Sequence, residues 1–392
     1  MENKRIHLCM CHMSGAEQRF IDEAFAEEWV VPLGPNVDGF EEDLKNYLLA
    51  PDPKCDGKEI VALSAGTAAI HLALVLLGVG RDDEVMCQSF TFAASANPVT
   101  YQGAKPVFVD SEPESWNMDP KLLDEAIADR VKVTGKKPKA IIAVHLYGMP
   151  ARIDEICAVG EKWGIPVVED AAEALCSKYK GRYCGTFGDY GVFSFNGNKM
   201  ITTSGGGALV CPDAESKKRA IFFATQAREP FPHYQHEHIG YNYRLSNISA
   251  GIGRGQMTVL DAHLAHHREL AALYEELFAD VAGITVHKNP TADCDSNYWL
   301  STIEIDHEIT GCTPEDIRLH LASLNVESRP LWKPMHLQPV YADAPAYVNG
   351  VSEQLFARGL CIPSGPWVTP DDVRMIVKEI VYRISSQSAS LT

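Results

Sequence analysis

Apolar positions along the first two-thirds of the chain fall into two alternating patterns. Short apolar-rich runs at 60–64, 84–87, 105–109, 140–145, 166–169, 191–194 and 207–210 predict strands. Between them, 67–77, 121–129 and 153–163 carry apolar residues at three-to-four spacing and predict amphipathic helices. Strand and helix in alternation predict a mostly parallel central sheet with helices on both faces, an α/β fold. The run Val85-Met-Cys, followed by Ser89-Phe-Thr-Phe opening toward a helix, has the strand–turn–helix shape that carries ligands in such sheets.

From about Leu245 the period changes. Met257, Leu260, Leu264, Leu270, Leu273 and Leu277 keep helical spacing with charges between them, which predicts one long amphipathic helix. Beyond it the strand signals are short, as at 298–305, and the helices more polar, as in a smaller α+β C-terminal domain. The expected division is a large domain over 1–258 and a small one over 259–392.

Composition narrows the function classes. With 392 residues, 46% hydrophobic and 22% charged, the chain has the make-up of a globular protein with a large core. Its longest apolar stretch, 68–80, contains His71 and is too short to span a bilayer. The N-terminal MENKRIHLCMCHMSG has no uninterrupted apolar core of a signal peptide, so a cytoplasmic location is expected. A formal charge of −17 repels phosphate backbones and argues against general nucleic-acid binding, while leaving room for a small anion held by local donors. Eleven cysteines without regular spacing suit free thiols in a reducing compartment. Cys9 and Cys11 have no second ligand pair at zinc spacing, and no carboxylate or cysteine completes a recognisable ligand pattern with His233, His236 and His238. No metal is expected, and the three histidines fit a polar loop over the active site better.

The chemistry concentrates in residues 166–210. An apolar strand ends in Glu169-Asp170, and a second one runs into Ser194-Phe-Asn-Gly-Asn-Lys199, then polar Thr202 to Ser204 and three glycines, Gly205 to Gly207. Open α/β sheets place ligands at the carboxyl ends of their strands. A lysine held neutral forms Schiff bases with carbonyl compounds. Pyridoxal phosphate needs that lysine, a carboxylate on its ring nitrogen, and a phosphate cradle at a helix N-terminus. Ser64-Ala-Gly66-Thr67-Ala68 supplies a strand, a small-residue turn and a helix, with Thr67 and Ser194 as hydroxyl donors. Taken singly, the cradle reads as a helix cap, Asp170 as an ion-paired acid and Lys199 as a surface charge. In this order on successive strand ends they point to a cofactor site. No GxGxxG follows a strand, and GxxxxGK[ST], HExxH and GxSxG are absent.

SAGTAAIHLAL, SFTFAASAN, KPVFVD, HLYG, VEDAAEALCS, GTFGDYGVFSFNGNK, TTSGGGALV and GYNYRLSN, in that order, resemble the DegT/DnrJ/EryC1/StrS family of pyridoxal-phosphate sugar aminotransferases. The resemblance runs from about Met13 to the last helix and implies the aspartate-aminotransferase-like fold (fold type I). TQARE, GYNYRLSN, SRPLWKPMH and CIPSG are similar to members of the bacillosamine pathway, which aminate C4 of a UDP-linked 4-keto-6-deoxy-N-acetyl sugar.

The resemblance implies that Lys199 holds the cofactor covalently and shuttles the proton, and that Asp170 pairs with the ring nitrogen. It sets Glu173 near the ring hydroxyl, where many relatives have Gln. Phe92 would stack on one ring face and Ala172 on the other. Gly66, Thr67, Ala68 and Ser194 would hold the phosphate. Asn242 would reach it from the neighbouring subunit, so a homodimer is expected. Cys176 stands where glycine is common, a change expected to affect packing only. Members that dehydrate sugars carry His in place of the lysine, and Lys199 argues against that branch.

Glutamate is the expected amino donor and a UDP-keto sugar the acceptor. Two anionic substrates on an acidic protein need local cations. Arg228, Arg244 and Arg329 are candidates, Arg329 with His336 foremost for the nucleotide sugar, though each arginine suits a structural ion pair nearly as well. Asn36, in the turn after Val31-Pro-Leu-Gly, either lines the nucleotide cleft or sits in an ordinary turn. Rival readings are a dTDP-linked or C3-keto sugar substrate, a non-catalytic regulator on the same fold, and a nicotinamide dehydrogenase, the last disfavoured by the missing fingerprint.

Overall fold

A computed structural model describes residues 5–388. Its main sheet has eight strands in the spatial order Glu59–Leu63, Gly207–Cys211, Tyr190–Ser194, Val167–Asp170, Ala140–Val144, Glu84–Gln88, Lys105–Val109, Ala346–Tyr347. Gly207–Cys211 pairs antiparallel with both of its neighbours, and every other pairing is parallel. Parallel strands need crossovers, and the helices that make them cover both faces. One face packs Val85, Ile142, Val168 and Leu209 on helix Gly66–Leu76; alternate residues Met86, Ile141, Ala143 and Val167 pack on helices Pro120–Thr134 and Ile153–Trp163. With both faces covered, the strands are almost wholly buried, which is why they read as apolar runs.

The second layer is an antiparallel sheet, Ile284–Val286, Ser301–Ile305, Gly359–Ile362 and Arg329–Pro330. Leu270, Tyr274 and Phe278 of helix Leu260–Phe278 pack against it with Val373, Ile376 and Ile380 of helix Pro370–Ser388. A division near residue 258 remains our proposal; the chain crosses it twice. Ile6 pairs with Val326 and joins the small sheet's core, while Ala346–Tyr347 extends the large sheet beside Lys105–Val109.

The single long helix expected from Met257 onward is two helices, Asn247–Met257 and Leu260–Phe278. Thr258 Oγ1 donates to the Gly255 carbonyl at 2.6 Å, and Val259 leaves the helical region at φ −118°, ψ 5°. A local side-chain bond thus ends the first helix where apolar spacing alone runs on. Among the described residues, no helix is long and apolar enough to cross a membrane. Among them too, no three His, Cys, Asp or Glu side chains gather as a metal site.

Candidate active site

Register sets the floor of the site. Val144, Asp170 and Val192 are neighbours across three parallel strands. Gly207 begins the antiparallel strand and stands opposite both Leu63 and Ser194. Reversing that one strand brings its glycine-rich start to the edge where the parallel strands end. A cavity of 320 Å³ opens there, lined by Gly66, Thr67, Phe92, Asp170, Ala172, Glu173, Ser194 and Lys199, along with Ser95, Asn198, Trp299 and Trp332.

The two-residue period of a strand separates adjacent acids. Glu169 turns from the cavity, fully buried, and accepts from the N–H groups of Gly185 at 2.9 Å and Gly188 at 2.6 Å. His145 Nδ1 accepts from the Ala151 N–H, so Nε2 donates to Glu169 at 3.0 Å. Burial alone would raise the Glu169 pKa, but His145 and the two backbone donors hold it below its ordinary value. Asp170 turns into the cavity. Its Oδ2 accepts from Ser95 Oγ at 2.6 Å and its Oδ1 from the Ala172 N–H at 3.1 Å, which fixes the carboxylate plane.

Lys199 lies in the connection between the antiparallel strands, closed by Phe195 N–H to Gly206 at 2.9 Å and Thr203 N–H to Phe195 at 2.9 Å. Its Nζ sits 3.7 Å from the centre of the Trp299 ring and 3.6 Å from Glu173 Oε1. Trp299, just before strand Ser301–Ile305 of the second sheet, also donates its indole N–H to the Asn198 carbonyl at 2.5 Å and so grips the lysine turn. Glu173 Oε2 accepts from the Tyr147 N–H at 2.6 Å. Burial raises the Glu173 pKa more than Lys199 and that N–H lower it, with Asp170 adding to the rise.

The cradle is backbone. Helix Gly66–Leu76 starts after extended Ala65, and no side chain caps it. Its first N–H groups have no intrahelical acceptor, and Gly66 and Thr67 line the cavity. A Cβ on Gly207 would lie 2.5 Å from the Ala65 carbonyl carbon, and one on Gly66 would lie 3.1 Å from Ser194 Cβ. Only glycine lets the two turns close to this distance. An uncapped helix start with hydroxyls at Thr67 and Ser194, a buried hydroxyl-fixed carboxylate and a lysine amine, all around one cavity, match the phosphate, ring nitrogen and aldehyde of pyridoxal phosphate.

Other expected residues are elsewhere. Ala68 is buried in the helix's first turn and does not line the cavity. Arg244 donates from Nη1 to Glu41 Oε1 at 2.7 Å and to the Ala62 carbonyl at 3.1 Å, a structural pair away from the cavity. Asn36 is buried in helix Pro35–Leu48, donating from Nδ2 to the Phe20 carbonyl at 3.0 Å; it is packing, not cleft wall. His336 is held between Ser89 Oγ at 2.7 Å and Glu353 Oε1 at 3.1 Å. Arg329 donates from Nε and Nη2 to Glu327 Oε1 and borders a second cavity. Arg228 lies over Tyr234 in an exposed loop, and Asn242 is exposed where that loop ends. Cys176 is a correction: its φ is +74°, so glycine's advantage there is backbone conformation as well as size.

Ser95, Tyr147, Trp299 and Trp332 were not singled out by sequence. Ser95 lies inside the SFTFAASAN stretch, three residues past Phe92, Tyr147 inside HLYG and Trp332 inside SRPLWKPMH; Trp299 had no such motif.

Fold and cavity together define a fold type I pyridoxal-phosphate aminotransferase. The chain belongs to the DegT/DnrJ/EryC1/StrS aminotransferase family, matching it over residues 12–381. It is 47% identical to EpsN of Bacillus subtilis, described as a pyridoxal phosphate-dependent aminotransferase, over 97% of this chain and 96% of that one. It is 35% identical to the GDP-perosamine synthase of Escherichia coli O157:H7, over 94% and 95%. The crystal structure of a DegT DnrJ EryC1 StrS aminotransferase from Brucella abortus superposes with a TM-score of 0.85 at 31% identity, over 93% of this chain and 94% of that one.

Proposed function

We propose that this aminotransferase moves the amino group of L-glutamate to C4 of a UDP-linked 4-keto-6-deoxy-N-acetylhexosamine. The product would be UDP-4-amino-4,6-dideoxy-N-acetylglucosamine, made in the cytoplasm for glycan synthesis. The observation that carries the reading is the meeting of Lys199, Asp170, Glu173 and the uncapped helix start around one cavity. The UDP sugar rests on TQARE, SRPLWKPMH and CIPSG.

When bound, pyridoxal phosphate supplies an aldehyde that accepts the amino group and an electron-poor ring that spreads the charge left when a Cα–H bond breaks. The chain's residues do the rest. Lys199 Nζ holds the aldehyde and, once released, takes the proton from the donor's α-carbon. Asp170, fixed by Ser95, keeps the ring nitrogen protonated. Glu173 meets the ring hydroxyl, and Phe92 and Ala172 bracket the ring. Gly66, Thr67 and Ser194 receive the phosphate, with Asn242 completing the cradle from the second subunit of a homodimer. Support for the dimer comes from the loop between Gln226 and Gly240, which leaves Tyr234 and Ile239 77% and 86% exposed.

The test is a spectrum and a product. The purified protein should be yellow and should change colour on adding glutamate; Lys199→Ala should lack the absorbance of the covalently held cofactor. A panel of UDP-, dTDP- and GDP-linked 4-keto and 3-keto sugars then assigns the acceptor. The similarity to a GDP-perosamine synthase favours a GDP-linked sugar as the second reading. Amination of only dTDP- or GDP-linked substrates would refute the UDP assignment.

A further inference from the structure

Beside the cofactor cavity lies a second one, of 430 Å³, and the two share Asn198 and Trp332 as a common wall. Leu8, Leu300, Leu331 and Phe356 make its sides apolar. Its charged groups are Glu327, Arg329 and Lys333.

These charges do not suit a diphosphate. Glu327 Oε1 accepts from Arg329 Nε at 3.2 Å and Nη2 at 2.9 Å, so that guanidinium is already matched. Glu327 Oε2 faces the Leu8 N–H at 3.3 Å and His7 Nδ1 at 3.5 Å, which holds the acid in place. Among the described residues, Lys333 takes part in no ion pair. The cavity therefore offers one uncompensated positive charge at the edge of an apolar chamber. A single carboxylate balances it, whereas a diphosphate would leave negative charge unmatched among apolar walls.

We propose that this chamber seats the distal carboxylate of a dicarboxylic amino donor. Lys333 supplies the charge, and the donor's amino end lies toward Lys199, on the side of Asn198 and Trp332 that both cavities share. The expectation that Arg329 receives the nucleotide sugar is replaced here, because Glu327 occupies its fork. The proposal rests on glutamate being the donor.

The half-reactions separate the possibilities. Cofactor absorbance in single turnover reads glutamate with the aldehyde form of the holoenzyme and keto sugar with the amine form. Lys333 is exposed, so Lys333→Met should fold normally. Loss of one charge-assisted contact should raise the glutamate concentration for half-maximal rate about tenfold or more. The preference for glutamate over alanine should shrink by the same factor, and the keto-sugar half-reaction should change less than about threefold. An equal loss in both half-reactions, a loss confined to the sugar, or no loss would each overturn the proposal. If the wild type fails to change colour with glutamate, the donor assignment itself falls instead.

Discussion

Glu173 and Lys199 share a buried corner, where Lys199 lowers the Glu173 pKa less than burial raises it. The raised pKa of Glu173 means that folding favours its protonated form. Its contribution to stability is full below the unfolded carboxyl value, about 4.3, and is lost as pH rises through the higher folded value. In cofactor-free protein, Glu173→Gln removes that loss. The variant's melting temperature relative to wild type should therefore improve from pH 5 to pH 8, and a gap constant with pH would contradict this. Ser95 acts one bond further out. Ser95→Ala takes away a short hydrogen bond to Asp170, so kcat should fall about tenfold with the cofactor still bound. Stopped-flow turnover of the holoenzyme checks it.

Turns between elements, not the elements themselves, shape the cradle. Gly207 meets the turn before helix Gly66–Leu76 so closely that an added methyl must push one of them away. Gly207→Ala should therefore weaken cofactor binding at least about tenfold, a loss of 1.4 kcal/mol, measured by reconstitution of the apoprotein. Cys176 makes the converse case, a side chain in left-handed backbone at φ +74°. Such a conformation costs an L-residue about 1–2 kcal/mol that glycine does not pay. In chemical denaturation, Cys176→Gly should be about 1 kcal/mol more stable than Cys176→Ala, against the usual order of these residues. The reverse order would show that the lost Cβ packing outweighs the strain.

Across the whole molecule, two layers close on the lysine. Trp299 and Trp332, in segments adjoining the second sheet, meet Lys199, Phe92 and Tyr147 in the connections between strands of the large sheet, with the Phe92 and Trp332 rings 5.3 Å apart. If Asn242 serves the neighbouring subunit's cradle, Lys199→Ala and Asn242→Ala homodimers, each with damaged sites, should complement when dissociated and mixed. Half of the redistributed dimers are hybrids with one intact site, so activity should recover to about a quarter of wild type. No recovery, with hybrid formation verified by mass, would place Asn242 in its own subunit's site or in none.

Much of this site was legible in the chain because its chemistry is local. Asp170 and Lys199 end strand-like runs, and Gly66 and Thr67 open an apolar helix, so residue order alone placed them at one sheet edge. The family resemblance added Phe92, Ala172 and Glu173. What sequence could not decide depends on distant partners. Nothing near Arg244 announces Glu41, 203 positions away, whereas Glu327 stands only two positions from Arg329 and their pairing needed just the local backbone to bring them together. Trp299 and Trp332 stand a hundred or more positions from Lys199 in the chain and join it only when the second sheet's side packs beside the first. The sequence by itself determined the alternating sheet, the order of its strand-end residues and the cofactor they suit, because short-range pattern and residue chemistry suffice for these. Tertiary structure alone decided which charges stay free, which helix breaks at Thr258 and which rings wall the cavity, because each outcome is a competition between groups that meet only in the folded chain.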